Sequence, residues 1–284
     1  MERKGYNMTK NPVYGFEKPY LENIKKENSV YVNEAYFDEF DNLIMVKNSQ
    51  KEDAKSVVVG ICVSENAFLV TDISEKGEMH SVPLFAPSDS ITNERIMAGN
   101  KTGYITKSKE DYTFDFGADD KKSAERIAKA GDTLYIKPYF ETLGNYYFTN
   151  EKAYALKNIF DILIKNEYPD KMIFCFIREK SKGAYALGKN IKADNAFFIT
   201  LFEDIKDDTA FLKKEKNYIS EYKTDKLSAY ISENNISNAD SYYLAGGCNT
   251  AAGIALKCTP TGANAVKISK SSVDKLKDFL ENLS

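Results

Sequence analysis

Residues 56–73 read SVVVGICVSENAFLVTDI: two apolar runs, Val57–Val63 and Ala67–Ile73, parted by Ser64-Glu65-Asn66. The first run is dense in β-branched side chains and lacks polar alternation, the pattern of a strand buried on both faces. Such a strand needs cover above and below, which an α/β architecture supplies. A polar break at the end of a strand like this is where α/β enzymes keep their chemistry. Cys62, Ser64 and Glu65 stand there.

The rest of the chain reads as strands and helices around that run. Phe16, Tyr20, Leu21 and Ile24 recur at helical spacing up to about Lys26. Tyr31–Tyr36 and Asn42–Val46 predict a hairpin around Asp38–Asp41. Ala153, Leu156, Ile159, Phe160 and Leu163 mark one face of a helix over 152–165, followed by a buried strand, KMIFCFI, at 171–177. A loop and helix start at 178–188, a strand at 195–202 and an amphipathic helix at 227–234 come next. Tyr242–Ala245 reads as a strand running into a tight turn, Gly246-Gly247-Cys248-Asn249. Val266–Ile268 is a last strand, and a closing helix over 273–283 takes Ser271 or Ser272 as its cap. Between Lys76 and Tyr146 the texture changes to short strands punctuated by Gly, Pro and Asp, with a short helix at 121–129 started by Asp119 or Asp120.

Within that middle region, 114–136 reads FDFGADDKKSAERIAKAGDTLYI: an aspartate step into Gly-Ala, a short helix, and a Gly-Asp turn into a strand. Together with Gly15-Phe16-Glu17, DEFDNL at 38–43 and the strand and turn of 56–73, it resembles the glutamyl and deblocking aminopeptidase family. That family includes the tetrahedral aminopeptidases and proteins labelled endoglucanase or cellulase M. The resemblance covers almost the whole chain. It implies an α/β fold, a mixed sheet sandwiched by helices, with residues 1–70 and 147–284 in the main domain and a small β-barrel-like domain inserted at 71–146. In the family the insertion mediates assembly, so a homo-oligomer is expected.

The resemblance also implies two metal ions, zinc or cobalt and manganese, held by His, Asp and Glu at strand ends, with a Glu as general base. Two dications held close together need anionic or imidazole ligands, so each place can be checked. The first His falls on Cys62 and the Asp after it on Ser64; Glu65 keeps its acid. The bridging Asp falls near Ala155, within Lys152-Ala153-Tyr154-Ala155-Leu156-Lys157. The Glu-Glu pair falls on Arg178-Glu179, and the Asp ending the next strand on Thr200. The segment carrying the last His is missing, and the whole chain has one histidine, His80. A two-His dinuclear site is therefore impossible in one chain, and no metal cofactor is expected. Glu179 is the remnant of the general base; Cys62, Glu65, Ala155, Arg178 and Thr200 line the vestigial site. The exit from this reading is an oxygen-only Mg or Mn site built from Glu65, Glu179, Glu203 and Asp204.

Blander roles compete for the same residues. Cys62 reads as a small buried hydrophobe in place of a ligand, and His80 as a surface residue of the insertion. Glu65 and Glu179 read as partners of Lys152, Arg178 or Lys182 in an ion-pair network. A net charge of -3 gives no electrostatic reason for nucleic acid or an anionic membrane. The start, MERKGYNMTK, has no apolar h-region, and the four cysteines form no CxxC, so a reduced, cytoplasmic setting is expected. The expected function is a metal-aminopeptidase homologue without its metals or hydrolysis, binding peptide or assembling with itself or an active relative. The alternative is a residual hydrolase using one metal or Glu179 as base.

Overall fold

The computed structural model describes residues 17–63, 67–83, 95–108, 112–177, 191–203, 209–213, 248–261 and 265–283. Its first hairpin is built by Asp38. That carboxylate accepts from the backbone N–H of Phe40 and of Asn42, both at 2.9 Å, and from the Asn42 amide at 2.8 Å. Asp41 takes φ 60° to close the turn, a conformation Asp tolerates better than most residues. The turn joins β1 (Glu34–Phe37) to β2 (Leu43–Lys47) in antiparallel register.

The main sheet carries β1 and β2 at one end, then β12 (Lys171–Ile177), β3 (Ser56–Cys62), β13 (Ala193–Phe202), β15 (Cys248–Pro260), β16 (Val266–Ser269), β11 (Tyr146–Thr149) and β10 (Phe140–Leu143). A short strand, β14 (Thr209–Lys213), branches from β15. β12, β3, β13 and β15 run parallel; β2, β16, β11 and β10 are antiparallel to their neighbours. The strand read from 57–63 is thus central, with a parallel neighbour on each side.

One face of this sheet packs against helices α1 (Glu17–Asn28), α3 (Lys152–Ile164) and α4 (Lys270–Glu281). Val57, Val59, Ile61 and Val63 share a core with Leu21 and Ile24 of α1, Ala155, Ile159 and Phe160 of α3, and Leu276 and Leu280 of α4. The opposite face carries Val58, Ile173, Cys175 and Ala196. Both faces of β3 are therefore buried, which is what its unbroken apolar run requires.

A closed barrel follows β3 in the chain: β4 (Ala67–Ile73), β5 (Met79–Pro83), β6 (Arg95–Ala98), β7 (Lys101–Ser108), β8 (Tyr112–Asp115) and β9 (Thr133–Ile136), ordered β4-β5-β8-β7-β6-β9. Phe68, Val70, Met79, Ile96, Phe114 and Leu134 fill it. Asp120 caps the short helix α2 (Lys121–Ala124), its carboxylate accepting from Ser123 N–H at 2.6 Å. The fold is an α/β mixed sheet with a six-stranded barrel inserted in its chain.

Several elements differ from their expected form. α2 ends at Ala124, well short of residue 129. The hairpin β10–β11 has no counterpart in the sequence reading and extends the main sheet through β16. Cys248-Asn249 open the long strand β15 instead of a turn; Gly246 and Gly247 lie outside the described residues. The closing helix starts at Lys270, capped by Ser269, whose hydroxyl accepts from Ser271 N–H. The helix expected at 227–234 and the loop and helix start at 178–188 lie outside the described residues.

Candidate functional site

The parallel strands bring their C-terminal ends to one edge. Ile177 of β12 is in register with Cys62 of β3, and the ladder runs one step further through Val63 N–H to Ile177 O at 3.0 Å. Gly60 of β3 pairs with Phe198 of β13. That is the last pair of the ladder, and Cys62 and Thr200 each lie two residues beyond it. Because strand side chains alternate between faces, Cys62 and Thr200 share the face of Val58 and Ala196. Both are partly exposed. Cys62 is thus less covered than the small buried hydrophobe it was read as, because it is the last residue of its strand.

Ala155 belongs to the other face. It is fully buried in the helix-side core that also holds Ile61, Val63, Ile199 and Leu201, so the place given to a bridging carboxylate holds a core methyl group. The sheet separates two groups of the residues read as one constellation: Cys62 and Thr200 on one side, Ala155 on the other. Ser64, Glu65, Arg178, Glu179, Lys182 and Asp204 lie outside the described residues. His80 sits in barrel strand β5, half-buried, opposite Thr113 of β8 and Asp72 of β4.

On the α3 face, the helix start meets the strand end. Lys152 Nζ lies 2.7 Å from Oε1 of Glu203, the residue after β13. Burial works against the Lys152 ammonium, but the hydrogen bond to Glu203, together with the charges of Cys258, Glu203 and Glu151, outweighs it and raises its pKa. Cys258 of β15 is buried beside this pair, and burial pushes its thiol up to about 11, against the pull of Lys152. Glu203 was read only as a possible metal ligand, and Lys152 as a partner of Glu65 or Glu179; the pair they form and the thiol beside it were missed. The signal was available in Ile254, Leu256 and Cys258, whose period-2 spacing aims Cys258 at the helix face.

The donors at these described positions do not fit a two-metal centre. A thiol and a hydroxyl stand on one face, a methyl group on the other, and the one carboxylate is bonded to an ammonium. Among the described residues no three His, Cys, Asp or Glu side chains are grouped as a metal ion would need. Among them, too, no helix is long and apolar enough to cross a membrane.

The fold is aminopeptidase-like: an α/β mixed sheet with an inserted barrel. An endoglucanase from Thermotoga maritima superposes with a TM-score of 0.73 at 16% identity, covering 96% of this chain and 94% of its own. A TET aminopeptidase from a marine sediment Thaumarchaeota archaeon gives 0.73 at 15% identity, covering 96% and 94%. The TET1 peptidase of Pyrococcus horikoshii, which can assemble into a tetrahedron or a large octahedral shell, gives 0.66 at 17% identity, covering 96% and 95%. Neither the protein-family models nor the curated proteins return a match. The chain has the fold of the tetrahedral aminopeptidases and their endoglucanase-labelled relatives, as its motifs imply.

Proposed function

We propose that this protein is a homologue of metal aminopeptidases that has lost the dinuclear centre and peptide hydrolysis, and that it binds peptide or serves as an assembly protein. One observation carries the reading: among the described residues, the places read as metal-ligand positions hold Cys62 at the end of β3, Thr200 in β13 and Ala155 in the first turn of α3, with Ala155 sealed in the core. A methyl group surrounded by apolar side chains can neither bridge two dications nor admit them without exposing a desolvated charge. The single histidine of the sequence points the same way.

In this reading the protein is cytoplasmic, has no nucleic-acid or membrane partner, and forms a homo-oligomer or joins an active relative. The assembling fold of its structural neighbours favours the oligomer. The test is turnover of leucyl and glutamyl p-nitroanilides with added zinc, cobalt or manganese, beside titration of labelled peptides. Absent turnover with saturable peptide binding is expected. Turnover abolished by Glu179→Gln would reverse the reading and establish a residual hydrolase.

A further inference from the structure

The end of the main sheet carries an unusual surface. The register pairs Glu141 of β10 with Phe148 of β11, and Phe148 with Lys267 of β16. The next row on the same face runs from Leu143 through Tyr146 to Ser269. Alternation puts all six side chains on one side, while Phe140, Tyr147 and Val266 turn inward against the helix-side core.

This outer face is apolar at its centre and charged at its flanks. Leu143 is 70% exposed and Tyr146 40%. Tyr146 and Phe148 meet edge to face, and the Lys267 ammonium lies 4.8 Å from the Tyr146 ring centre. Glu141 stands on one flank and Lys267 on the other, two strands apart, about 10 Å at ordinary strand spacing. Among the described residues neither makes an ion pair. An exposed aromatic and aliphatic strip with polar flanks marks a contact surface. Opposite charges on the two flanks make the strip self-complementary: a two-fold axis along β11 sets Glu141 of one copy against Lys267 of the other and Leu143 against Ser269, with Tyr146 and Phe148 against their own counterparts.

We propose that the outer face of β10, β11 and β16 is an isologous interface between two copies of this chain. The aromatic strip provides the buried centre, and the Glu141–Lys267 pairs fix the orientation. The proposal rests on the assembly part of the function proposed above and adds its location.

The test is sedimentation velocity and light scattering of the full chain at micromolar concentration. Leu143→Asp is expected to lower the assembly mass at least twofold, with unchanged circular dichroism because Leu143 is exposed. Glu141→Lys and Lys267→Glu should each weaken association by roughly tenfold or more, since each sets like charges against one another, and the double charge swap should restore it. A wild-type monomer would overturn both the assembly reading and this surface. A wild-type oligomer indifferent to all three single substitutions would overturn this surface alone.

Discussion

The ring of Phe198 lies so close to Gly60 that a Cβ added there would fall 2.8 Å from Phe198 Cε1 and 2.9 Å from Cζ. Gly60 is the one glycine in the apolar run of β3, and its missing side chain lets β13 lay an aromatic ring across the strand. Gly60→Ala should therefore cost about 1–3 kcal/mol through overpacking. Combined with Phe198→Leu, the cost should shrink, because the clashing atoms are gone. Urea denaturation of the two single variants and the pair checks this as a double-mutant cycle.

Lys157 ties α1 to α3. Its Nζ lies 2.7 Å from Asp161 and 3.1 Å from Glu27, and the Asn28 amide donates to Asp161 at 2.9 Å. The Lys157 side chain is 11% exposed, so it sits between the surface and buried regimes. Lys157→Met should cost about 2 kcal/mol, mostly from the carboxylate left behind. Burial opposes the ammonium, yet Asp161 and Glu27 raise its pKa. The contribution is then full below the unfolded lysine value of about 10.4 and lost as pH rises through the higher folded value. Thermal melts above pH 10 should fall more steeply in the wild type than in Lys157→Met.

Asp194 fastens the start of β3 to the start of β13. Its carboxylate accepts from Ser56 N–H at 2.8 Å and from the Ser56 hydroxyl at 2.9 Å. The backbone hydrogen bond is the main cause of its lowered pKa. The stability it adds is present above the unfolded value of about 3.9 and lost as pH falls through the lower folded one. Asp194→Asn should flatten the acid limb of the stability profile, lowering stability at neutral pH and converging on the wild type at low pH, as urea melts from about pH 2 to 7 would show.

The cysteines should separate by accessibility. Cys62 is partly exposed at the strand end, whereas Cys258 is fully buried with its thiol pushed up to about 11. Because the thiolate is the reactive form, iodoacetamide at pH 8 should label Cys62 first and reach Cys258 only after denaturation, as peptide mass mapping would register. Equal labelling of both in the native protein would contradict the burial described.

The fold was legible where local pattern and tertiary context agree. The run at 57–63 announced a central strand, and Leu156, Ile159, Phe160 and Leu163 announced a helix face; both took those places. β15 was harder to read because Ala251, Ala252 and Gly253 carry little strand propensity, and pairing with β13 overrides it. The hairpin β10–β11 was obscured by the expectation of a barrel-like insertion reaching to residue 146, within which no strand was read at 140–146. In the site, the residue types at Cys62, Ala155 and Thr200 could be listed from the sequence. Their division between two faces of the sheet could not, because it depends on the pairing of β3 with β13 and the packing of α3. The Lys152–Glu203 pair is of the same kind: its members are fifty-one positions apart and meet only through the fold.

An aminopeptidase-like fold that has lost its two-metal centre, as proposed above, should hold no stoichiometric metal. The most direct test is elemental analysis of untagged protein after equilibration with zinc, cobalt and manganese and removal of free ions. The account predicts metal far below one ion per chain, with the same melting temperature before and after a chelator. Close to two ions per chain, lost to the chelator together with a drop in melting temperature, would contradict it.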